Sequence, residues 1–228
     1  MKSSIKVSSK LLLKANFIVI LILVIAHLIF GSETYSTTVD PRDWARFFSL
    51  DWEENLPTLF STLSLLIASL LSIAIALISE LKRQSRWIWF SIGLIFLGLC
   101  IDEWEMIHER LEFSGTGSWA YLYLIGVAAF ILLYSSFVLG LPKRIRDLMI
   151  VSFSLFILGS VGMELIALQV LQLEPDPKIP MYFFFSTLEE TLEMSGIAIF
   201  NYTLLKYFLH YRTVIIDLPV NERIGIGN

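Results

Sequence analysis

Met181-Tyr-Phe-Phe-Phe-Ser-Thr-Leu-Glu-Glu-Thr-Leu-Glu-Met-Ser-Gly-Ile-Ala-Ile-Phe-Asn-Tyr-Thr-Leu-Leu205 is apolar along most of its length, yet it carries Glu189, Glu190 and Glu193. About 20 mainly apolar residues are needed to cross a hydrocarbon core ~30 Å thick. A span begun after Glu193 would be too short, so the three glutamates belong inside the membrane segment. A charged side chain at mid-bilayer costs roughly 2.5–3.5 kcal/mol and is normally turned toward a bundle interior. This segment therefore predicts a lipid-spanning helix with a polar, inward-facing stripe.

The same reading extends along the chain. Its 228 residues are 56% hydrophobic and only 17% charged, a balance that a soluble domain of this length would not show. Leu56–Ser79 and Trp119–Leu141 contain no charge, and Leu148–Leu173 is interrupted by Glu164 alone. Trp87–Ile101 is uncharged for only about 22 Å of helix and must continue into Asp102–His108 to span. The fold class expected is all-α: one integral membrane domain over residues 1–228, with six transmembrane helices at about 12–31, 56–79, 87–108, 119–141, 148–171 and 181–208.

Lys and Arg set the orientation. Lys2, Lys6, Lys10 and Lys14, the cluster Lys82-Arg83 with Arg86, the cluster Lys143-Arg144 with Arg146, and Lys206, Arg212 and Arg223 fall on one side. The other side holds Arg42, Arg46, Arg110 and Lys178. The positive-inside rule then puts both termini in the cytoplasm. Trp87, Trp89, Tyr207 and Tyr211 fit an inner aromatic belt; Trp44, Trp52, Trp119 and Tyr182 fit an outer one. The first helix reads as an uncleaved anchor, because Leu28-Ile29-Phe30-Gly31-Ser32 lacks a small-x-small cleavage site. One cysteine, Cys100, excludes an intrachain disulfide, and no basic patch supports nucleic-acid binding.

The outer segment Ser32–Asn55 is too short for a core of its own. Asp40-Pro41 resembles a helix start, after which Trp44, Phe47 and Phe48 share a face suited to the membrane surface. Asp51-Trp52-Glu53-Glu54 has cap-like spacing. A solvated loop with an interfacial helix is one reading of this segment, and a lid over an acidic site is the other. Ser64, Ala68, Ser72 and Ala76, at four-residue spacing, predict close helix packing.

The membrane acids gather at one depth. Asp102 lies about 22 Å along its helix, Glu164 about 24 Å along the next but one, and Glu189 to Glu193 about 12–18 Å below the outer start. His27 lies about 24 Å up the first helix. At 100° per residue Asp102, Glu105, His108 and Glu109 share a third of the circumference and Glu103 points elsewhere. Ser186, Glu189, Glu190 and Glu193 share a sector of theirs. Carboxylates so placed either share protons or bind a metal. Glu105-x-x-His108 is the helical spacing used in carboxylate-bridged dinuclear sites, although a second such pair is missing. The expected ligand set is Asp102, Glu105, His108, Glu109, Glu164, Glu189, Glu190 and Glu193, with His27 as a substitute, holding a divalent metal such as Fe, Mn or Zn.

The strings Ile101-Asp-Glu-Trp-Glu-Met-Ile-His-Glu-Arg-Leu111, Gly162-Met-Glu164 and Thr187-Leu-Glu-Glu-Thr-Leu-Glu-Met-Ser-Gly196 resemble an uncharacterised family of polytopic bacterial inner-membrane proteins. That resemblance implies a shared site, including Glu103, without naming a reaction. Ceramidase-like membrane hydrolases also hold zinc in a helical bundle, but they use several histidines and this chain has three in all. Three readings stay open: a metal site acting on a lipid-soluble small molecule, a proton- or cation-coupled transporter, and a structural or assembly protein. The bilayer is the one partner expected in all three.

Reporter tags test the topology. Tags at the N-terminus, in Glu80–Arg86, in Pro142–Asp147 and at the C-terminus should all read cytoplasmic, and tags near Ser36, Gly115 or Asp176 should read the opposite side. A cytoplasmic signal from Gly115 would break the six-span arrangement.

Overall fold

A computed structural model describes residues 4–5, 9–30, 43–78, 80–110, 118–166, 169, 179–211 and 216–217. Seven of its helical elements precede a long final one: α1 Ser9–Phe30, α2 Asp43–Phe48, α3 Leu56–Ala76, α4 Arg83–Glu105, α5 Ile107–Arg110, α6 Ser118–Leu139, α7 Lys143–Ile157 and α8 Ile179–Tyr211. A π-helical turn, Leu158–Met163, continues α7 toward Ile166. Ser4–Ile5 pairs antiparallel with Ile216–Asp217, which brings the two ends of the chain together.

Five helices are long and apolar enough to cross a membrane: Ser9–Phe30, Leu56–Ala76, Arg83–Glu105, Tyr121–Leu139 and Lys143–Ile166. The chain is a helical membrane protein. The segment expected as a sixth span forms the helix α8, which is not among those five. At 33 residues it is about 50 Å long, more than a bilayer core requires.

The fourth expected span corresponds to α6 and the fifth to α7 with its π turn, and the third corresponds to α4, which is apolar enough to span but ends earlier than expected. A helix running unbroken from Trp87 to His108 does not form. Met106 adopts φ 52°, a left-handed conformation that ends α4, and its N–H closes onto the Asp102 carbonyl. A left-handed residue at that position is a common helix stop because it satisfies a terminal carbonyl. The acidic stripe expected from Asp102 to Glu109 is therefore cut after Glu105.

The cap expected at Asp51 is replaced as well. Asn55 is the N-cap of α3: its Oδ1 accepts from the Thr58 N–H at 3.1 Å, and Pro57 occupies the first turn, where no N–H is needed. The Asn55 side-chain amide also donates to the carbonyls of Arg46, Ser49 and Trp52. One buried asparagine thus ties α2 and the following loop to the top of α3. The helix start expected at Asp40-Pro41 lies outside the described residues.

α8 is the centre of the bundle and packs against α1, α3 and α7. Two glycines let α7 and α8 meet backbone to backbone. A Cβ on Gly196 would stand 2.7 Å from the Phe156 nitrogen and 2.9 Å from the Ser152 carbonyl oxygen. A Cβ on Gly159 would stand 2.8 Å from the Glu189 carbonyl oxygen. Small residues permit such an approach in lipid, where helix association relies on packing and hydrogen bonds rather than on hydrophobic burial. α3 and α4 meet in the same way, with Ser69 Oγ donating to the Gly93 carbonyl at 2.8 Å. An aromatic ladder, Phe96–Phe200–Phe153–Phe130–Tyr134, then joins α4, α8, α7 and α6 through ring contacts of 4.6–5.1 Å. Trp89, expected in the inner belt, is instead wholly buried between Phe137 and Tyr207, whereas Trp87 stays exposed.

Gly196→Ala should lower the melting temperature of the detergent-solubilised protein, because its methyl group meets backbone that cannot turn aside. Overpacking of this kind costs roughly 1–3 kcal/mol. Gly126→Ala, which meets nothing within 4 Å, should leave it unchanged; equal effects would mean that α7 and α8 do not touch.

Candidate functional site

Where α3, α4, α6, α7 with its π turn and α8 converge, they line a partly open cavity of about 100 Å³. Six carboxylates line it: Glu53, Asp102, Glu103, Glu189, Glu190 and Glu193. Tyr123 and Ser160 add hydroxyls, and Leu65, Leu99 and Phe156 complete the wall. A water occupies roughly 30 Å³ of liquid, so the space suits an ion with two or three waters.

Five of the six acids are positioned by a local cause. Glu189 and Glu193 sit where α8 crosses Gly159; a Cβ there would fall 2.7 Å from Glu193 Cγ. The absent side chain leaves the room that the glutamate occupies. Asp102 and Glu103 occupy the last turn of α4, just before the stop at Met106. Tyr123 of α6 donates its hydroxyl to Asp102 Oδ2. Glu53 stands in the loop secured by Asn55, and Thr58 Oγ1 donates to its Oε2 at 2.9 Å.

The sequence-derived ligands divide accordingly. Asp102, Glu189, Glu190 and Glu193 meet in the cavity. Glu105 is exposed and Glu164 is half-buried, and neither belongs to the lining. The side chains of His108 and Glu109 lie outside the described residues. Glu103, expected to point elsewhere, lines the cavity. The helix does not present one continuous stripe centred near Asp102 and Glu105. The cavity instead faces Leu99, whose direction lies between those of Asp102 and Glu103 at 100° per residue. Glu164 would follow Phe156 and Ser160 on one face of a regular helix, but the π turn between them adds a residue and rotates it away.

Glu53 was missed because it precedes the apolar run, in a segment that hydropathy reads as exterior. Its only sequence signal was the second reading of that segment as a lid, and the structure places one of its carboxylates in the cavity wall.

His27 is buried by other work. Its Nδ1 accepts the Leu50 N–H at 3.0 Å, and its Nε2 lies 3.0 Å from Thr187 Oγ1, which donates its own proton to the Phe183 carbonyl. These roles place the ring proton on Nε2, and the ring stacks on Phe183 at 4.5 Å. Both nitrogens are committed, so His27 joins α1, the outer loop and α8 instead of serving as a ligand. Among the described residues, no three His, Cys, Asp or Glu side chains stand close enough together to hold one metal ion.

The sequence of residues 15–207 matches a family model described as a domain of unknown function, DUF8692. The chain belongs to that family. The matched region takes in the whole cavity, from Glu53 to Glu193. No match was found among curated proteins or among solved structures.

Two measurements check this geometry. In double-mutant cycles on thermal stability, Glu103→Gln should couple strongly to Glu190→Gln, by roughly 0.5–3 kcal/mol, and Glu105→Gln should be additive with it. His27→Ala should cost about 1–3 kcal/mol by leaving the buried Leu50 N–H without its acceptor. Coupling of Glu105 in place of Glu103 would show that the cavity faces the Asp102–Glu105 side of α4 and not Glu103.

Proposed function

We propose that the chain is a six-helix membrane protein, with both termini cytoplasmic, that binds a divalent cation in the carboxylate cavity near the outer leaflet. The observation that carries this reading is the convergence of six carboxylates from the outer loop, α4 and α8 on one small cavity. The pairing of Ser4–Ile5 with Ile216–Asp217 supports an even number of crossings, since both ends of the chain must then share a side. The charge distribution makes that side the cytoplasm, and the resemblance to bacterial proteins favours an inner membrane.

The donor chemistry narrows the ion. The cavity wall offers carboxylate and hydroxyl oxygens, a set that suits the hard cations Mn²⁺, Mg²⁺ and Ca²⁺ better than Zn²⁺. Glu53, Asp102, Glu103, Glu189, Glu190 and Glu193 would supply the ligands after side-chain rotation, because three do not yet converge on one point. Such an ion would supply Lewis-acid polarisation or an activated water to a lipid-soluble substrate. Tyr123 orients Asp102 through its hydroxyl, and Thr58 holds Glu53 in the same manner.

A second reading, cation or proton transport, has one observation in its favour. Thr62 Oγ1 at the level of the cavity, and Asn201 Oδ1 and Ser72 Oγ deeper along α8 and α3, are buried without a hydrogen-bond partner among the described residues. Buried polar atoms of this kind are usually satisfied by water, and a file of waters would lead from the acids toward the inner side.

Elemental analysis of gently purified protein separates the two. The cation-site reading expects near-stoichiometric Mn, Mg or Ca, with occupancy falling about tenfold or more in a Glu190→Gln, Glu193→Gln double variant as two charged ligands are lost. Metal-free protein whose vesicles carry an acid-dependent ion flux would replace it with the transport reading.

A further inference from the structure

A second cavity lies at the far end of α7 from the carboxylates. It is an open groove of about 470 Å³ between α7 and α8, lined by Lys143, Arg144, Asp147, Leu148, Val151 and Tyr202. Its volume is in the range of small-molecule sites, roughly 300–1,000 Å³. The five α7 residues share one face of that helix. Along this face the chemistry changes from basic at Lys143 and Arg144 to apolar at Leu148 and Val151, over about 12 Å.

The basic end lacks counter-charge. A helix dipole favours acids in the first turn and disfavours cations there, yet α7 opens Lys143-Arg144-Ile145-Arg146 with no acid and no side-chain cap. The Pro142 carbonyl accepts the N–H groups of Ile145 and Arg146 at 2.8 and 2.9 Å, which leaves those of Lys143 and Arg144 without an acceptor among the described residues. Both side chains are exposed and form no ion pair among the described residues. Asp147, the acid in the lining, is taken by Arg146, whose Nε donates to its Oδ1 at 3.2 Å. Basic side chains at the start of α4 are used differently: Arg86 Nε donates to the Ala76 carbonyl and closes the end of α3.

The wall on α8 gives an independent sign of a ligand. Tyr202 is 7% exposed, and its hydroxyl has no hydrogen-bond partner among the described residues. A buried phenol normally finds one. Lys206 follows one turn later and holds its Nζ 5.6 Å from the Tyr202 ring centroid. Because Gly196 of α8 meets Ser152 and Gly159 of α7 meets Glu189, the two helices are antiparallel, and Lys206 lies toward the basic end of the groove.

We propose that this groove binds one anionic glycerophospholipid from the leaflet on the side of Lys143. Its phosphate lies among Lys143, Arg144 and Lys206, an ester or phosphate oxygen accepts from the Tyr202 hydroxyl, and an acyl chain starts along Leu148 and Val151. Charge complementarity commits the groove to an anion, since basic side chains and free helix-start N–H groups both favour a phosphate. The apolar half commits it to a lipid. It belongs to a helix apolar enough to span the membrane, and a free phosphate would leave that half unfilled. Basic pockets between membrane helices select anionic head groups in this way. The groove and the carboxylate cavity share no residue, so this inference and the cation-site reading can fail separately.

The test reconstitutes the full-length protein in nanodiscs of mixed phosphatidylglycerol and phosphatidylcholine, extracts it in mild detergent and counts retained lipids by native mass spectrometry. One phosphatidylglycerol per chain should be retained in preference to phosphatidylcholine. Lys143→Gln with Arg144→Gln should lower that retention about tenfold or more. Tyr202→Phe, which keeps the ring and removes only the hydroxyl, should lower it several-fold with helicity unchanged. Lys82→Gln with Arg83→Gln removes the same charge from the same side, outside the groove, and should leave retention as it was. Equal retention of phosphatidylcholine, an equal loss in the Lys82 and Arg83 variant, or retention indifferent to Lys143, Arg144 and Tyr202 would each overturn the proposal by showing general attraction of basic loops to the membrane surface. Displacement of the lipid by inorganic phosphate in the buffer would overturn it in favour of a soluble anion.

Discussion

Backbone contact between α7 and α8 is the constraint on which the rest of the bundle depends. Without side chains at Gly159 and Gly196, the two helices approach until backbone atoms of one meet side-chain and carbonyl atoms of the other. That approach fixes the rotation of α8, and so decides where Glu189, Glu190 and Glu193 point. In lipid no hydrophobic drive would push the helices together, so tight packing of this kind has to supply the specificity. The glutamates can be carried into the membrane because the same crossing turns them toward protein and not toward acyl chains.

Around that crossing the remaining elements act as walls and ties. α4 stops at Met106, which leaves Asp102 and Glu103 on its final turn. The outer loop is drawn down by Asn55, whose amide holds three carbonyls, and by His27, which accepts the Leu50 N–H. Glu53 is thereby presented to the same space as the membrane acids. α6 is the loosest wall, fastened by tyrosine hydroxyls at its two ends.

Much of the site was legible because hydropathy makes an acid inside an apolar run conspicuous. Asp102, Glu189, Glu190 and Glu193 were found in this way, and all four line the cavity. The facing of Glu103 and Glu105 was not legible: helical phase fixes their relative directions but not which direction is inward, and the inward side is set by α3, α6 and α8 together. Glu164 followed the rule of one face at four-residue spacing until the π turn broke it. His27 had a membrane depth matching the acids, yet depth says nothing about hydrogen-bond partners, and Leu50 and Thr187 are far from it in sequence.

The sequence by itself determined that the chain is helical and membrane-bound, where most spans fall, and that ionisable groups collect near one depth, because each of these follows from local composition and a fixed rise per residue. The tertiary structure alone decided which acids share a cavity, that Glu53 joins them from outside the apolar runs, and that α4 ends at Met106 just beyond Asp102 and Glu103. Those outcomes depend on how helices rotate and how closely they pack, and that is settled by contacts between residues far apart in the chain.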